Sequence, residues 1–249
     1  MNKKIIALIV TAGNRDISKT ISSIESQTKK VDEIIIASEK DFASEYKVLV
    51  NPYKKGLARN TNQSLVRIKD LYPNENLYIA TVDDDDLWKE TYIEKAFNLI
   101  QKGNNFVTCW MEVKDNNEII DEYKFTLKDM KVKNFIIGNI GVQGSNKVFN
   151  LDMCLESGMM SKHINSSTDR VLNIALLSHP EVKVAVIEES LVIYQKDSYR
   201  ERISNDKHRL NDLRNFYMHF DGYVDVNDVE KINDRHDKLH NIPGVITWK

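Results

Sequence analysis

Four short apolar runs punctuate the first hundred residues of this chain: Ile5–Val10, Glu33–Ser38, Lys47–Val50 and Tyr78–Val82. Each is short, rich in β-branched residues and nearly unbroken by polar ones. That pattern suits strands covered on both faces better than amphipathic helices. The stretches between them carry helical spacing: Ile17, Ile21 and Ile24 in one, Leu65, Ile68 and Tyr72 in the next, and Ile93, Phe97 and Ile100 after the fourth run. Pro73-Asn74 stops the second of these helices and Gly103 ends the third, each by ordinary helix-breaking chemistry. Strand, helix and strand within one sheet form a right-handed parallel unit. The expected fold class is therefore α/β, a Rossmann-like, mostly parallel central sheet with helices on both faces.

Beyond residue 103 the rhythm changes. Phe106–Val113 and Glu118–Phe125 read as strands joined by a hairpin turn at Lys114–Asn117. Gly138–Asn146 reads as a glycine-rich loop, and a helix with Val171, Leu172, Ala175 and Leu176 opens at Ser166-Ser-Thr-Asp169. Residues 182–187 and 191–194 read as two further strands. From Asp206 the tail carries two amphipathic stripes, Leu210, Leu213, Tyr217 and Phe220, then Val229, Ile232 and Leu239. We therefore expect a domain over 1–204, with halves 1–103 and 104–204, and a helical extension over 205–249. Those last helices either cover the sheet or pair with a second subunit, which leaves a homodimer open.

Composition narrows the functional classes. With 249 residues, 41% hydrophobic and 29% charged, the chain is an ordinary globular one. A net charge of -2 and no Lys/Arg-rich block argue against a nucleic-acid partner. Cys109 and Cys154 are the only cysteines, which suits buried thiols in a reducing cytoplasm. Met1–Val10 looks superficially like a secretory leader, but its apolar part is short and Gly13-Asn-Arg-Asp16 interrupts it. It reads as a first strand, and no later stretch reads as a transmembrane segment. His236 and His240 have the spacing of a helical metal pair; without a third ligand they read as a solvated face.

The fourth apolar run ends in Asp83-Asp-Asp-Asp86. Carboxyl ends of strands in open α/β sheets are where ligands bind. Four adjacent carboxylates raise one another's pKa unless a cation neutralises them. Oxygen-only donors suit Mg²⁺ or Mn²⁺. A solvated acidic turn leading into the next helix is the competing reading, and the acids alone do not choose between the two.

Four segments in order do more. Ile9-Val-Thr-Ala-Gly-Asn-Arg15, Gly56-Leu-Ala-Arg-Asn60, Val82-Asp-Asp-Asp-Asp-Leu-Trp88 and Ser167-Thr-Asp-Arg170 resemble family-2-type nucleotide-sugar glycosyltransferases of the GT-A fold. Gly141-Val-Gln-Gly-Ser-Asn146 and Tyr199-Arg-Glu-Arg-Ile-Ser204 are similar to one bacterial branch of that family. The resemblance implies a metal-dependent, inverting transfer from a nucleoside-diphosphate sugar, UDP being the expected nucleotide, with Mn²⁺ or Mg²⁺ as cofactor. It implies Asp85 as metal ligand, with Asp83 beside the metal or the ribose. Thr11, Asn14, Arg15, Arg59, Asp83 and Asp84 would bind the nucleotide sugar, and Asp169 would be the catalytic carboxylate. Many relatives carry an Asp after the second strand where this chain has Ala37-Ser38, so Ser38 would stand at the base and base specificity is open. Many also carry an Arg and a His near Tyr194–Asp197, which makes Arg200 and Arg202 the candidate diphosphate clamp.

Sugar transfer needs charge stabilisation on the leaving diphosphate and a base for the acceptor hydroxyl. A carboxylate on a helix's first turn is held rigidly and is favoured in its ionised form there. Trp110, Gln143 and Ser145 are candidates for the acceptor side. Equally, the glycine loop is a plain connection and Trp110 a packed residue. The acceptor itself is open among saccharides, lipid-linked sugars, peptides and small metabolites. Rival readings are a catalytically silent sugar-nucleotide binding module, a sugar nucleotidyltransferase and an aspartyl phosphatase. Thr11–Arg15 is short for the nucleotidyltransferase's glycine-rich loop, and the acids come late in the chain for the phosphatase.

Overall fold

A computed structural model describes residues 2–51, 56–116, 118–161, 167–196 and 209–247. At its centre is β1 (Lys3–Thr11), flanked in parallel by β2 (Glu33–Ser38) and β4 (Asn76–Asp83), with β3 (Lys47–Val50) parallel outside β2. Side chains alternate across a strand, and β1 shows the consequence. Ile6, Leu8 and Val10 enter one core, and Ile5, Ala7 and Ile9 enter the other. On the first face α2 (Leu57–Leu71) packs Leu65 and Ile68; on the second, α1 (Ser18–Glu25) packs Ile24 and α3 (Tyr92–Gln101) packs Ile93 and Ile100. Leu65 and Ile68 are fully buried, and each contributes about 1.5–3 kcal/mol of apolar burial. After α3, Gly103 adopts φ +95°, the left-handed conformation that closes a helix at little cost only for glycine.

The second half extends the same sheet. β8 (Lys147–Asn150) runs antiparallel to β4, and β6 (Phe106–Asp115) antiparallel to β8. β9 (Val184–Gln195) lies parallel to β6, and the two-residue β5 (Leu87–Trp88) pairs with β9. β7 (Glu118–Tyr123) pairs with the far part of β6. The order is β3-β2-β1-β4-β8-β6-β9-β5, nine strands with β7. Three features differ from expectation. The residues after the glycine loop form a strand, β8. Residues 184–195 form one strand instead of two, with a register shift opposite Cys109–Met111 that absorbs the polar Glu188-Glu189-Ser190. β5 is additional.

Five further helices complete the layers among the described residues: α4 (Val132–Ile137), α5 (Leu151–Glu156), α6 (Thr168–Ser178), α7 (Arg209–His219) and α8 (Val226–His240). The tail helices bury Leu213, Phe216, Tyr217, Phe220 and Ile232 in the core shared with α2 and α6. Those stripes join this chain's own core, beside α4 and α6. His236 is buried and bonded to the Tyr217 hydroxyl at 2.9 Å, so the solvated-face reading does not hold for it. The side chains of Leu239 and His240 lie outside the described residues. Among the described residues no helix is long and apolar enough to cross a membrane.

Candidate active site at the carboxyl edge of the sheet

Parallel pairing brings the first group of candidate residues together. The register sets Thr11 beside Ser38 and Val10 beside Asp83. Three strands therefore end at one edge, and the loops that follow them form one rim. Asn60 laces it: its side-chain amide donates to the carbonyls of Thr11 at 3.2 Å and Ala37 at 3.1 Å.

The four aspartates divide by partner. Asp84 is buried and accepts from the Thr11 hydroxyl at 2.7 Å and from Arg15 at 2.6 Å. Asp86 is fully buried; its carboxylate accepts from the Ser145 hydroxyl and from the Gln195 amide at 3.1 Å, and its carbonyl accepts from Thr20 at 3.0 Å. These two brace the turn. Asp85 accepts from the same Arg15 nitrogen at 2.8 Å. Burial works against the Arg15 guanidinium, but Asp84 and Asp85 outweigh it, and its pKa is raised.

Asp83 stands apart. Its backbone amide donates to the Ser145 hydroxyl at 3.0 Å, and its carboxylate lies against Gly144, where a Cβ would stand 2.8 Å from an oxygen. Burial, then the carboxylates of Asp86, Asp169, Asp85 and Asp84, push its pKa well above the usual range. Arg15 forms ion pairs with Asp84 and Asp85, and Lys147 with Asp169; neither pair includes Asp83.

That influence of Asp169 on Asp83 links the two halves of the chain. Asp169 sits in the first turn of α6, behind Ser167, which holds the left-handed φ of 61°. A non-glycine residue there stores backbone strain, and such strain collects at functional sites. Asp169 retains 22% of its side-chain exposure. Behind it lies Lys147, with none, whose ammonium is 3.4 Å from Asp169 Oδ1 and 3.2 Å from Asn173 Oδ1. Next along α6, the buried Arg170 donates to the carbonyls of Phe135 at 2.8 Å and Ile136 at 2.5 Å and stacks over Phe216. It thereby satisfies the open carbonyls at the end of α4.

The other candidates are placed as follows. Asn14 and Arg59 are exposed on the rim. Ser38 is fully buried and turns its hydroxyl to the Lys40 carbonyl at 2.6 Å and against Gly13, so it joins two loops. Ser145 is likewise fully buried, occupied by Asp86 and the Asp83 amide, which makes it a brace and not an open acceptor contact. The loop around it is fixed: Asn146 donates to the carbonyls of Cys109 and Gly141 and accepts from the Gln143 amide. Gln143 itself is half-buried. Trp110 is half-buried on β6, its indole N–H bonded to the Phe125 carbonyl at 2.6 Å. Trp88 is packing beside the loop, bonded to the Ser145 carbonyl at 2.9 Å. Arg200 and Arg202 lie outside the described residues. The sequence reading passed over Asn60 and Lys147. Asn60 stood inside a motif already noted, and the only signal at Lys147 was a cation heading an apolar run.

Comparison with known proteins agrees with this architecture. The chain superposes on S. aureus TarS 1–349 in its complex with UDP-GlcNAc at a TM-score of 0.67 and 11% identity, covering 97% of this chain and 74% of that one. The structure of TarS with UDP gives a TM-score of 0.66, again at 11% identity, over 98% and 76%. The shared fold is the GT-A fold. An Escherichia coli protein, the UDP-Glc:alpha-D-GlcNAc-diphosphoundecaprenol beta-1,3-glucosyltransferase WfgD, is 26% identical over 156 residues, 57% of this chain and 58% of the relative. The match thus spans little more than half of that relative. The profile of the family described as "Glycosyl transferase family 2" matches residues 7–145, from the first strand to the loop beside Asp83. With more than half of its length matched, the chain belongs to glycosyl transferase family 2.

Proposed function

We propose that this chain transfers a sugar, with inversion, from a nucleoside-diphosphate sugar to an acceptor hydroxyl, with Asp169 as the general base. The observation that carries this reading is placement: Asp83 ends β4, β8 pairs with β4, and Lys147 at the head of β8 lies 3.4 Å from Asp169 on α6; Asp169 is in turn among the carboxylates that raise the pKa of Asp83. UDP is the expected nucleotide; the E. coli relative's name specifies UDP-Glc, and TarS is seen with UDP and UDP-GlcNAc. That relative's acceptor makes a lipid-diphosphate-linked saccharide the first acceptor to try. Two free, buried cysteines support a cytoplasmic setting.

A divalent cation fits the residues present. Among the described residues no three His, Cys, Asp or Glu form a metal-holding group. However, Mg²⁺ and similar ions beside a diphosphate need only one or two carboxylates, because phosphate and water complete the shell. Asp85 and Asp83 offer oxygen donors, and burial together with the carboxylates of Asp86, Asp169, Asp85 and Asp84 works against charge on Asp83, which a cation would offset. When bound, Mn²⁺ or Mg²⁺ supplies charge stabilisation to the leaving diphosphate.

The chain's own residues do the rest. Thr11, Arg15 and Asp84 lock the acid turn so that Asp85 is held by the shared guanidinium. Arg15 fixes that turn through Asp84 and Asp85, and Arg59 is the exposed arginine on the rim where a diphosphate would lie. Asp169 takes the acceptor's proton as the acceptor oxygen bonds to the anomeric carbon. The bond from that carbon to the diphosphate breaks in line, and its electron pair leaves with the diphosphate. Approach from the face opposite the leaving group inverts the centre. The test is a thermal-shift screen of UDP, GDP and their sugars with and without Mn²⁺. The expected result is a cation-dependent rise in Tm that Asp85→Ala abolishes. Equal shifts in EDTA would contradict the metal role.

A further inference from the structure

The function proposed above uses Asp169 but leaves Lys147 unexplained. Lys147 has no exposed surface. A fully buried ammonium is retained only where partners compensate its lost hydration. Its ammonium donates to Asn173 Oδ1 and Asp169 Oδ1, both on α6. Asn173 is itself fixed, its amide donating to the Val142 carbonyl at 2.9 Å. Lys147 heads β8, which pairs with the acid-bearing β4 through Val148 and Ala80 and with β6 through Thr108. A rigid strand thus delivers one cation beneath the α6 carboxylate, on the side away from solvent.

We propose that Lys147 is the positioning residue for Asp169. This rests on the reading of Asp169 as the base. The ammonium engages Oδ1, fixes the carboxylate's orientation, and leaves Oδ2 turned to the acceptor's proton. Asn173, clamped to Val142, sets where the ammonium sits. Lys147 touches neither donor nor acceptor, so its effect falls on turnover and not on donor binding.

Four proteins decide the matter: Lys147→Met, Lys147→Gln, Asp169→Asn, and Lys147→Met with Asp169→Asn. Each is read by UDP release from UDP-glucose and UDP-GlcNAc, by donor affinity and by thermal melt. Methionine matches the lysine stem and places no charge in the strand, and glutamine keeps a donor for Asn173, so at least one single variant at 147 folds. The expected outcome is a kcat lower by about 10- to 100-fold, the range for a misplaced catalytic group, with donor KM within about twofold. The double variant is expected to be no slower than Asp169→Asn, because residues acting as a unit are not additive. In the melts, Asp169→Asn removes the charge that offsets a buried ammonium and lowers Tm, and adding Lys147→Met restores it by several degrees, about 5 °C. Parent-like kcat in both 147 variants beside an inactive Asp169→Asn would overturn this inference alone. So would melts in which the two substitutions simply add, a result available even if neither sugar nucleotide is turned over. Coupled melts with full turnover in Asp169→Asn would instead overturn the base assignment.

Discussion

Asp83 is under electrostatic stress in the ligand-free protein, and that has a measurable sign. Its pKa is raised in the fold, so the folded chain holds the proton more tightly than the unfolded one. The stability this gives is fully present below the ordinary carboxylate pKa and is lost as pH rises through the raised value. Towards neutral pH that contribution is lost, so a titratable carboxyl buried there costs stability that an amide would not. Asp83→Asn should raise the melting temperature of the ligand-free protein at pH 7, by an amount on the order of 1 kcal/mol, and should gain nothing at pH 3. The same substitution should weaken cation-dependent nucleotide binding. Melts at the two pH values check this; a variant equally stabilised at both would mean that Asp83's charge is not the cause. Gly144 is the neighbour that makes room for that carboxylate. Gly144→Ala places a Cβ 2.8 Å from an Asp83 oxygen and should displace Asp83, costing about 1–3 kcal/mol of overpacking and lowering nucleotide affinity. Unchanged affinity on titration would show that the carboxylate's position is not critical.

Elements are tied to this site by a few buried polar side chains. Arg170 joins α6 to the end of α4 and to α7, through Phe135, Ile136, Phe216 and Tyr217. Arg170→Met should leave two buried carbonyls without a donor and cost about 2–4 kcal/mol, seen as a lower midpoint in urea; a shift under 0.5 kcal/mol would show that water replaces it. How far these elements could be read from sequence depends on what buries them. β1, β2 and β4 are apolar on both faces and declare themselves. Lys147–Asn150 is four residues long and begins and ends polar, so pattern alone gives no strand; only its place between β4 and β6 makes it one. β9 reads as two strands because Glu188 and Glu189 are exposed at a register shift. The acid run was legible as a cluster. Which members brace and which face the cleft depended on the turn's partners, Thr11, Ser145 and Gln195, far away in sequence. Asp169 was visible through its motif, whereas its partner Lys147 had no motif to announce it.

At the scale of the molecule, the parallel half of the sheet ends in the rim of Thr11, Ser38 and Asp83, α6 brings Asp169 from the mixed half, and the tail helices share a core with α2, α4 and α6. The boundary expected near residue 204 separates pieces that share one core, since Leu213, Phe216, Tyr217 and Ile232 pack with residues of α2, α4 and α6. A chain ending at residue 204 should therefore fail to fold cooperatively, exposing apolar surface and leaving Arg170 without Tyr217. A truncated protein with an intact melting transition would show the extension to be an appendage. The central claim is that Asp83, Asp85 and Asp169 work in one cleft on one sugar nucleotide, and it is tested most directly by comparing donor binding with turnover in Asp169→Asn. UDP-sugar affinity should stay within about threefold of the parent, and UDP release should fall by at least about 10²-fold, the loss typical of removing a general base. Parent-like UDP release from that variant would contradict it.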